Sequence, residues 1–154
     1  MSRNPYSLNQ PIRKPYETYD YIDEPLSNTD MSFLAATAKI ALTSDYRFRM
    51  AALIVKSGRV LGGDTNVHRI TPDTPPARMS THAEIRVIKN TKNTKGATLY
   101  VARLKAQDEH GLAKPCCWCM NHILDANISR VVFTTNDLAG GSFYTDMISW
   151  NHAV

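Results

Sequence analysis

Short apolar runs separated by Gly, Pro and polar clusters divide the chain into predicted helices and strands. Asp30 is expected to cap a helix over 31–43, and a hairpin is expected at 49–62 around the turn Ser57-Gly58. The first strand of the hairpin is a buried strand over 49–55, and the second strand begins at 60–62. The remaining predicted elements are a loop over 69–80, a helix over 81–90, a strand over 97–101, a loop or loose hairpin over 103–114, a helix over 115–126, a strand over 130–134 and a last short helix over 143–152. This order indicates an α/β fold in which a mixed sheet carries helices on its faces.

The first thirty residues show no sustained hydrophobic period and differ from the rest of the chain. Four prolines forbid a long helix there: Pro5, Pro11, Pro15 and Pro25. We interpret 1–30 as an extended N-terminal arm that either wraps the body or stays mobile, and 31–154 as a single domain. Four tyrosines of the arm could anchor it: Tyr6, Tyr16, Tyr19 and Tyr21.

Composition places the chain among soluble globular proteins of one domain. It has 154 residues, 43% of them hydrophobic and 21% charged. Neither an apolar run long enough for a membrane span nor a secretory h-region is visible, so we expect a cytoplasmic protein that does not bind membranes. The net charge is +4, with −2 over the first thirty residues and +6 over the rest. A basic body suits a phosphate-bearing partner, including nucleic acid, but it is equally typical of an ordinary basic surface.

The cysteines form a cluster that indicates metal binding. All three lie at 116, 117 and 119, a poor framework for disulfides. Cys116 and Cys119 are three residues apart on a predicted helix, so their sulfurs share one face, as a tetrahedral zinc ion requires. Pro115 suits the first position of that helix, whose positive end would help keep the thiolates ionised. Cys117 lies about 100° away around the helix and is expected to pack instead.

His82 and Glu84, at the start of the preceding helix, complete a predicted catalytic zinc site. With His82 as third ligand, one coordination position stays open for water, which is typical of catalytic zinc. Zinc lowers the pKa of such a water from 15.7 to about 7. Glu84 can reach this water without binding the metal, and would carry its proton to a substrate. The expected activity is that of a zinc-dependent hydrolase.

The chain matches the His-x-Glu…Pro-Cys-x-x-Cys signature of zinc nucleobase deaminases through His82-Ala83-Glu84 and Pro115-Cys116-Cys117-Trp118-Cys119, with 34 residues from His82 to Cys116. Over about 31–137 the chain resembles the cytidine/deoxycytidylate deaminase superfamily, bacterial tRNA adenosine deaminases included. The resemblance extends to the segments 50–66, 96–101 and 130–133.

The resemblance implies a three-layer fold: a mixed five-stranded sheet with helices on both faces, and Zn²⁺ between two helix N-termini. It also implies three substrate contacts. Asn66 would contact the sugar, the Ala83 backbone N–H would bind the base edge, and the Pro115 carbonyl would accept from the amine. A homo-oligomer is implied as well.

Two departures leave the substrate open. After Glu84 the chain reads Ile85-Arg86-Val87, without the asparagine that deaminases of free deoxycytidylate usually carry there, and the link over 102–114 is longer than in either of the two subfamilies. Both features suggest a divergent bacterial or phage branch. We therefore expect deamination of a cytosine-type nucleoside or nucleotide, (d)CMP or cytidine, to the uracil form and ammonia. The alternatives are a deaminase of tRNA adenosine or single-stranded DNA cytosine, and a catalytically silent zinc-binding subunit.

Overall fold

The computed structural model describes residues 18–67 and 82–151. The predicted loop over 69–80, the residue Thr81 and arm residues 1–17 lie outside these ranges. The elements, in chain order, are β1 (Thr18–Asp20), α1 (Asn28–Ala41), β2 (Arg49–Lys56), β3 (Arg59–Thr65), α2 (Ala83–Lys89), β4 (Thr98–Leu104), β5 (His110–Gly111), α3 (Cys117–Asp125), β6 (Arg130–Phe133), β7 (Gly141–Tyr144) and β8 (Ser149–Asn151), with single 3-10 turns at Ala106–Asp108 and Thr145–Met147. None of the described helices is long and apolar enough to cross a membrane.

The sheet is mixed and confirms the predicted architecture. Its strand order is β3-β2-β4-β6-β7, with the two-residue β5 paired to β4 outside this path. Strands β4 and β6 run parallel, and the other neighbouring pairs are antiparallel. Ser57 and Gly58 both have positive φ (52° and 76°), which gives the β2–β3 hairpin the tight turn that its twist favours.

Alternation along the strands produces the two faces of the sheet. Leu53 of β2 packs with Leu34 of α1 on one face. Ile54, next along the strand, joins a larger cluster on the other face, which includes Val87 of α2 and Ile123 of α3. Helix α1 thus covers one face, while α2 and α3 lie together on the other, so the three layers are confirmed.

Three local expectations were wrong at helix starts and at the C-terminus. Helix α1 begins at Asn28 with Ser27 as its cap, because Ser27 and Asp30 form a capping box in which Asp30 is the third helical residue. Helix α3 begins at Cys117, so Pro115 precedes the cap rather than opening the helix. The predicted helix over 143–152 is instead β7, a 3-10 turn and β8.

The arm explains why the C-terminal segment is extended. Gly141–Tyr144 pairs with β6 on one side, and on the other side the Ser142 backbone hydrogen-bonds to Asp23 and Glu24. β1 pairs with β8. The arm thus provides hydrogen-bond partners for backbone N–H and C=O groups of the C-terminal segment, which in a helix would bond to one another. Residues 18–27 wrap the body; the division at residue 30 stays a prediction.

The segment after β4, predicted as either a loop or a loose hairpin, forms a hairpin. Its chain turns at Ala106–Asp108 and returns as β5 against Arg103 and Leu104. Arg49 holds this turn through Asp108 at 2.8 Å and the Lys105 carbonyl, also at 2.8 Å.

Asp30 forms the buried ion pair that joins α1 to the sheet. Its carboxylate accepts two hydrogen bonds from Arg130, at 2.8 and 2.6 Å, and one from Tyr100 at 2.9 Å, with 3% of the residue exposed. The hydrogen bonds from Arg130 hold the pKa of Asp30 well below its usual range, although burial opposes this.

We expect Asp30→Asn to lower the free energy of unfolding by about 3 kcal/mol at pH 7, because Arg130 loses its anionic partner. A depressed folded-state pKa means that the stabilisation is complete above about pH 5, begins to fall near the unfolded-state value of about 3.9, and is lost progressively as pH falls further towards the lower folded-state pKa, so part of it is already lost at pH 3. Denaturant unfolding at pH 7 and pH 3 should show a smaller difference between wild type and variant at pH 3. The exposed Asp146→Asn is the control, and an equal loss at both pH values for Asp30→Asn would contradict this account.

Candidate metal centre and active site

The N-termini of α2 and α3 hold the residues that the sequence singles out. His82 and Cys116 are the caps of these helices, both with extended backbone, and their carbonyls accept the first intrahelical bonds, from Arg86 (3.2 Å) and Met120 (2.9 Å). In this position the side chain of a cap residue projects beyond the helix end. Cys119 lies one turn further along α3 and points to the same place.

The three donor atoms form one compact group. The Cys116 and Cys119 sulfurs are 3.6 Å apart, and His82 Nδ1 lies 3.1 Å from Cys119 Sγ and 3.8 Å from Cys116 Sγ. A tetrahedral zinc with ordinary bond lengths separates two sulfurs by about 3.8 Å, and sulfur from nitrogen by about 3.6 Å. The residues therefore fit zinc in both donor type and spacing. Within residues 18–67 and 82–151, no other cluster of His, Cys, Asp and Glu has ligand spacing.

The charge states of the two thiols depend on each other. The hydrogen bond with Cys119 lowers the pKa of Cys116, whereas burial raises the pKa of Cys119 and the Cys116 sulfur raises it further. The pair by itself therefore favours a single thiolate, at Cys116. A dication between the sulfurs would favour the thiolate at both.

Glu84 lies beside this group in the first turn of α2. The residue is 1% exposed, and its Oε1 has no hydrogen-bond partner among the described residues. Burial raises the pKa of Glu84; the His82 charge acts against this shift and the Cys116 thiolate adds to it. An unpartnered buried carboxylate oxygen costs free energy, and such groups are typical of functional sites.

Cys117 stays outside the group, as the helical geometry predicted. It is buried in the protein, with 4% of the residue exposed. It does not belong to the cluster with ligand spacing formed by its two neighbours and His82.

Asn66 is buried at the end of β3, and most of its hydrogen-bonding capacity is used locally. Its Oδ1 accepts from Ser44 Oγ (2.8 Å) and the Met50 N–H (3.0 Å), and its Nδ2 donates to the Phe48 carbonyl (2.6 Å). An amide nitrogen carries two hydrogens, so one remains for a substrate. Contact of Asn66 with a sugar therefore stays a prediction, and the second hydrogen of Nδ2 is the donor that could make it.

The two backbone groups predicted to bind substrate lie at the same helix ends. Ala83 is the first residue of α2, where its N–H has no intrahelical partner. The Pro115 carbonyl immediately precedes Cys116, and it already accepts a hydrogen bond from Tyr19 Oη at 2.6 Å.

Tyr19 was expected only as an anchor of the arm, yet it reaches the metal centre. Burial raises the pKa of its phenol, and the negative charges of Cys116, Cys119 and Glu84 raise it further, so the hydroxyl stays protonated and donates. The one signal in the sequence is the set of tyrosines in the arm, which does not distinguish Tyr19 from the others.

Comparison with known proteins agrees with this geometry. Residues 27–135 match the family model of the cytidine and deoxycytidylate deaminase zinc-binding region. No curated protein matches the sequence significantly.

Two of the solved structures to which the chain is similar are the following. The dCMP deaminase of the cyanophage S-TIM5, in its apo form, has a TM-score of 0.53 at 16% identity, over 71% of this chain and 86% of that one. A diaminohydroxyphosphoribosylaminopyrimidine deaminase/5-amino-6-(5-phosphoribosylamino)uracil reductase from Thermotoga maritima gives 0.46 at 24% identity, over 70% of this chain and 29% of that one. The cyanophage structure shows the same fold. Because the family model covers well over half of its length, the chain belongs to the family defined by the cytidine and deoxycytidylate deaminase zinc-binding region.

Proposed function

We propose that the chain is a zinc-dependent hydrolase that converts a cytosine nucleotide or nucleoside, with dCMP as the first candidate, into its uracil form and ammonia. In this proposal His82, Cys116 and Cys119 hold the metal and Glu84 carries protons. The observation that carries the proposal is the buried, unpartnered Glu84 oxygen beside three donors with zinc spacing.

Glu84 performs the proton transfers of the proposed reaction. A zinc ion bound by the three donors supplies a Lewis acid that makes hydroxide available near neutral pH. Glu84 accepts one proton from the water whose oxygen bonds to the amine-bearing ring carbon, and delivers it to the ring nitrogen of the base. It then takes the remaining proton from the hydroxyl formed on that carbon and delivers it to the amine, which leaves as ammonia when the C–N bond breaks and the carbonyl of the uracil form is made. The raised pKa of Glu84 favours this role, because its protonated form must also be accessible near neutral pH.

Two backbone groups beside the metal donors, and Asn66 after β3, would orient the base and sugar. The Ala83 N–H is available to the base edge, and the Pro115 carbonyl has a second lone pair for the amine. Asn66 has one amide hydrogen for the sugar. These positions support a substrate bound across the ends of α2 and α3.

A silent zinc-binding subunit is disfavoured by the energetics of Glu84. A structural zinc site is closed by four ligands and needs no carboxylate beside it. Burying a carboxyl oxygen without a partner costs about 1–3 kcal/mol, a cost that a purely structural site has no reason to retain. Catalysis gives the carboxylate a function.

The choice of a free nucleotide rests on two observations. The cyanophage protein of the same fold is a dCMP deaminase. The net charge of +4 is modest for a protein that binds polynucleotide mainly through phosphates. We further propose that the enzyme works in the cytoplasm as a homo-oligomer, as the family resemblance implies.

A substrate panel tests this choice. Zinc-loaded protein is given cytidine, deoxycytidine, their monophosphates, single-stranded DNA and tRNA at equal concentrations of target base, and ammonia release is measured. We expect kcat/KM for a mononucleotide to exceed that for polynucleotide by at least about tenfold, or ~1.4 kcal/mol of transition-state binding. Faster turnover of DNA or tRNA, with a steep loss of rate as the salt concentration is raised, would contradict this choice and show that the substrate is a base within polynucleotide.

A further inference from the structure

The N-terminal arm is fastened to the loop that carries the metal-binding cysteines. Tyr19 Oη donates to the Pro115 carbonyl at 2.6 Å, and Lys114 Nζ donates in return to the Tyr19 carbonyl at 3.3 Å. The Lys114 ammonium also lies over the Tyr19 ring, 4.5 Å from its centroid. Two successive residues before Cys116 are therefore held by one residue of the arm.

The Tyr19 side chain is itself held rigidly. Only 3% of the residue is exposed, and its ring packs against Phe143 at 5.8 Å and Trp150 at 5.6 Å between centroids. The backbone around it pairs with β8, where Tyr19 lies opposite Trp150. A donor fixed on both its backbone and its ring can orient the acceptor that it contacts.

The orientation of the Pro115 carbonyl matters for the proposed reaction. A carbonyl oxygen has two lone pairs, so the bond from Tyr19 leaves one for a further donor. That bond also fixes the direction of the carbonyl next to Cys116.

We propose that Tyr19 is a positioning residue, which aims the free lone pair of the Pro115 carbonyl at the exocyclic amine of the substrate. This role makes the arm part of the active site, and it rests on the proposed function. The effect should appear for ligands that carry the amine and be absent for ligands that lack it.

Tyr19→Phe tests the role, because phenylalanine keeps the ring packing and removes only the hydroxyl. The matched control is Tyr21→Phe on the same arm, whose ring packs on Phe133 and Phe143. Each protein is assayed with dCMP and with the corresponding pyrimidin-2-one nucleotide, which has a hydrogen in place of the amine and serves as an inhibitor. Zinc content and thermal unfolding are measured alongside.

For Tyr19→Phe we expect kcat with dCMP to fall about tenfold with KM little changed, because the contact strengthens as the amine leaves. The inhibition constant of the pyrimidin-2-one nucleotide and the zinc content should stay at wild-type values, and Tyr21→Phe should match wild type throughout.

Two results would overturn the role of Tyr19 alone: an active wild type with kcat unchanged in Tyr19→Phe, or a parallel loss of dCMP turnover, inhibitor binding and zinc, which would indicate a structural effect. If the wild type releases no ammonia from any member of the substrate panel, the proposed function fails, and this role fails with it.

Discussion

Glu84→Gln is expected to reduce kcat by about 10²- to 10⁴-fold while leaving one zinc ion per chain. Glutamine has nearly the same size and shape but can neither accept the proton of water nor return it to the amine. The carboxyl group is not among the three donors with ligand spacing, so its loss should not release metal. Steady-state ammonia release and zinc analysis on the same protein samples measure both effects.

The same substitution should not destabilise the protein. Burial raises the pKa of Glu84, which means that the site disfavours the charged carboxylate, so a neutral amide should keep or increase the free energy of unfolding. Glu109→Gln, on the exposed hairpin after β4, is the control and should change neither activity nor stability. A Glu84→Gln variant with wild-type kcat would refute the assignment of Glu84 as the proton carrier.

Cys119→Ala is expected to abolish activity and to weaken zinc binding. The loss of zinc affinity should exceed about 10- to 100-fold, because that is already the cost of mutating a residue that only hydrogen-bonds to a metal ligand. Cys119 is fully buried, and the group of donors with ligand spacing among the described residues contains only His82 and Cys116 beside it, so its loss leaves two ligands. Bound zinc should also stabilise the fold, by about 3 kcal/mol when the free zinc concentration is 100 times the Kd. A chelator should therefore lower the Tm of the wild type and leave that of Cys119→Ala nearly unchanged.

Cys117→Ala is the matched control for this prediction. It removes a buried cysteine from the same helix turn but from outside the group with ligand spacing. It should retain zinc and turnover, with a modest loss of stability from the lost packing. If Cys117→Ala loses zinc and Cys119→Ala retains it, the ligand set is wrong.

The proximity of Cys116 and Cys119 could be predicted from sequence because it is local. Three residues of separation near a helix start bring Cys116 and Cys119 to one side, and the same rule places Cys117 elsewhere. The buried strands over 49–55 and 130–134 were also predictable, since they contain the continuous apolar runs 50–55 and 131–133. Only their ends differ in the structure, because hydrogen bonding with neighbours decides where a strand stops.

The start of α1 was wrong for a local reason, the capping box of Ser27 and Asp30, whereas the C-terminal strand and two contacts that the sequence did not predict depend on distant segments. Gly141–Tyr144 is a strand because β6 pairs with it on one side and the arm hydrogen-bonds to it on the other. The arm residues that do so precede this strand by more than 100 residues. Asp30 was expected as a cap because acidic residues favour that position, but its pairing with Arg130, a hundred residues away, could not be anticipated. The contact of Tyr19 with Pro115 is of the same kind, and it connects the arm to the loop that carries Cys116.

The central claim is tested most directly by measuring ammonia and uracil product together, from dCMP, with protein that carries one zinc per chain. We predict equal amounts of ammonia and dUMP, formed over many turnovers and lost in Glu84→Gln. If this zinc-loaded protein releases no ammonia from dCMP or from any other member of the substrate panel, the chain is not the deaminase proposed here.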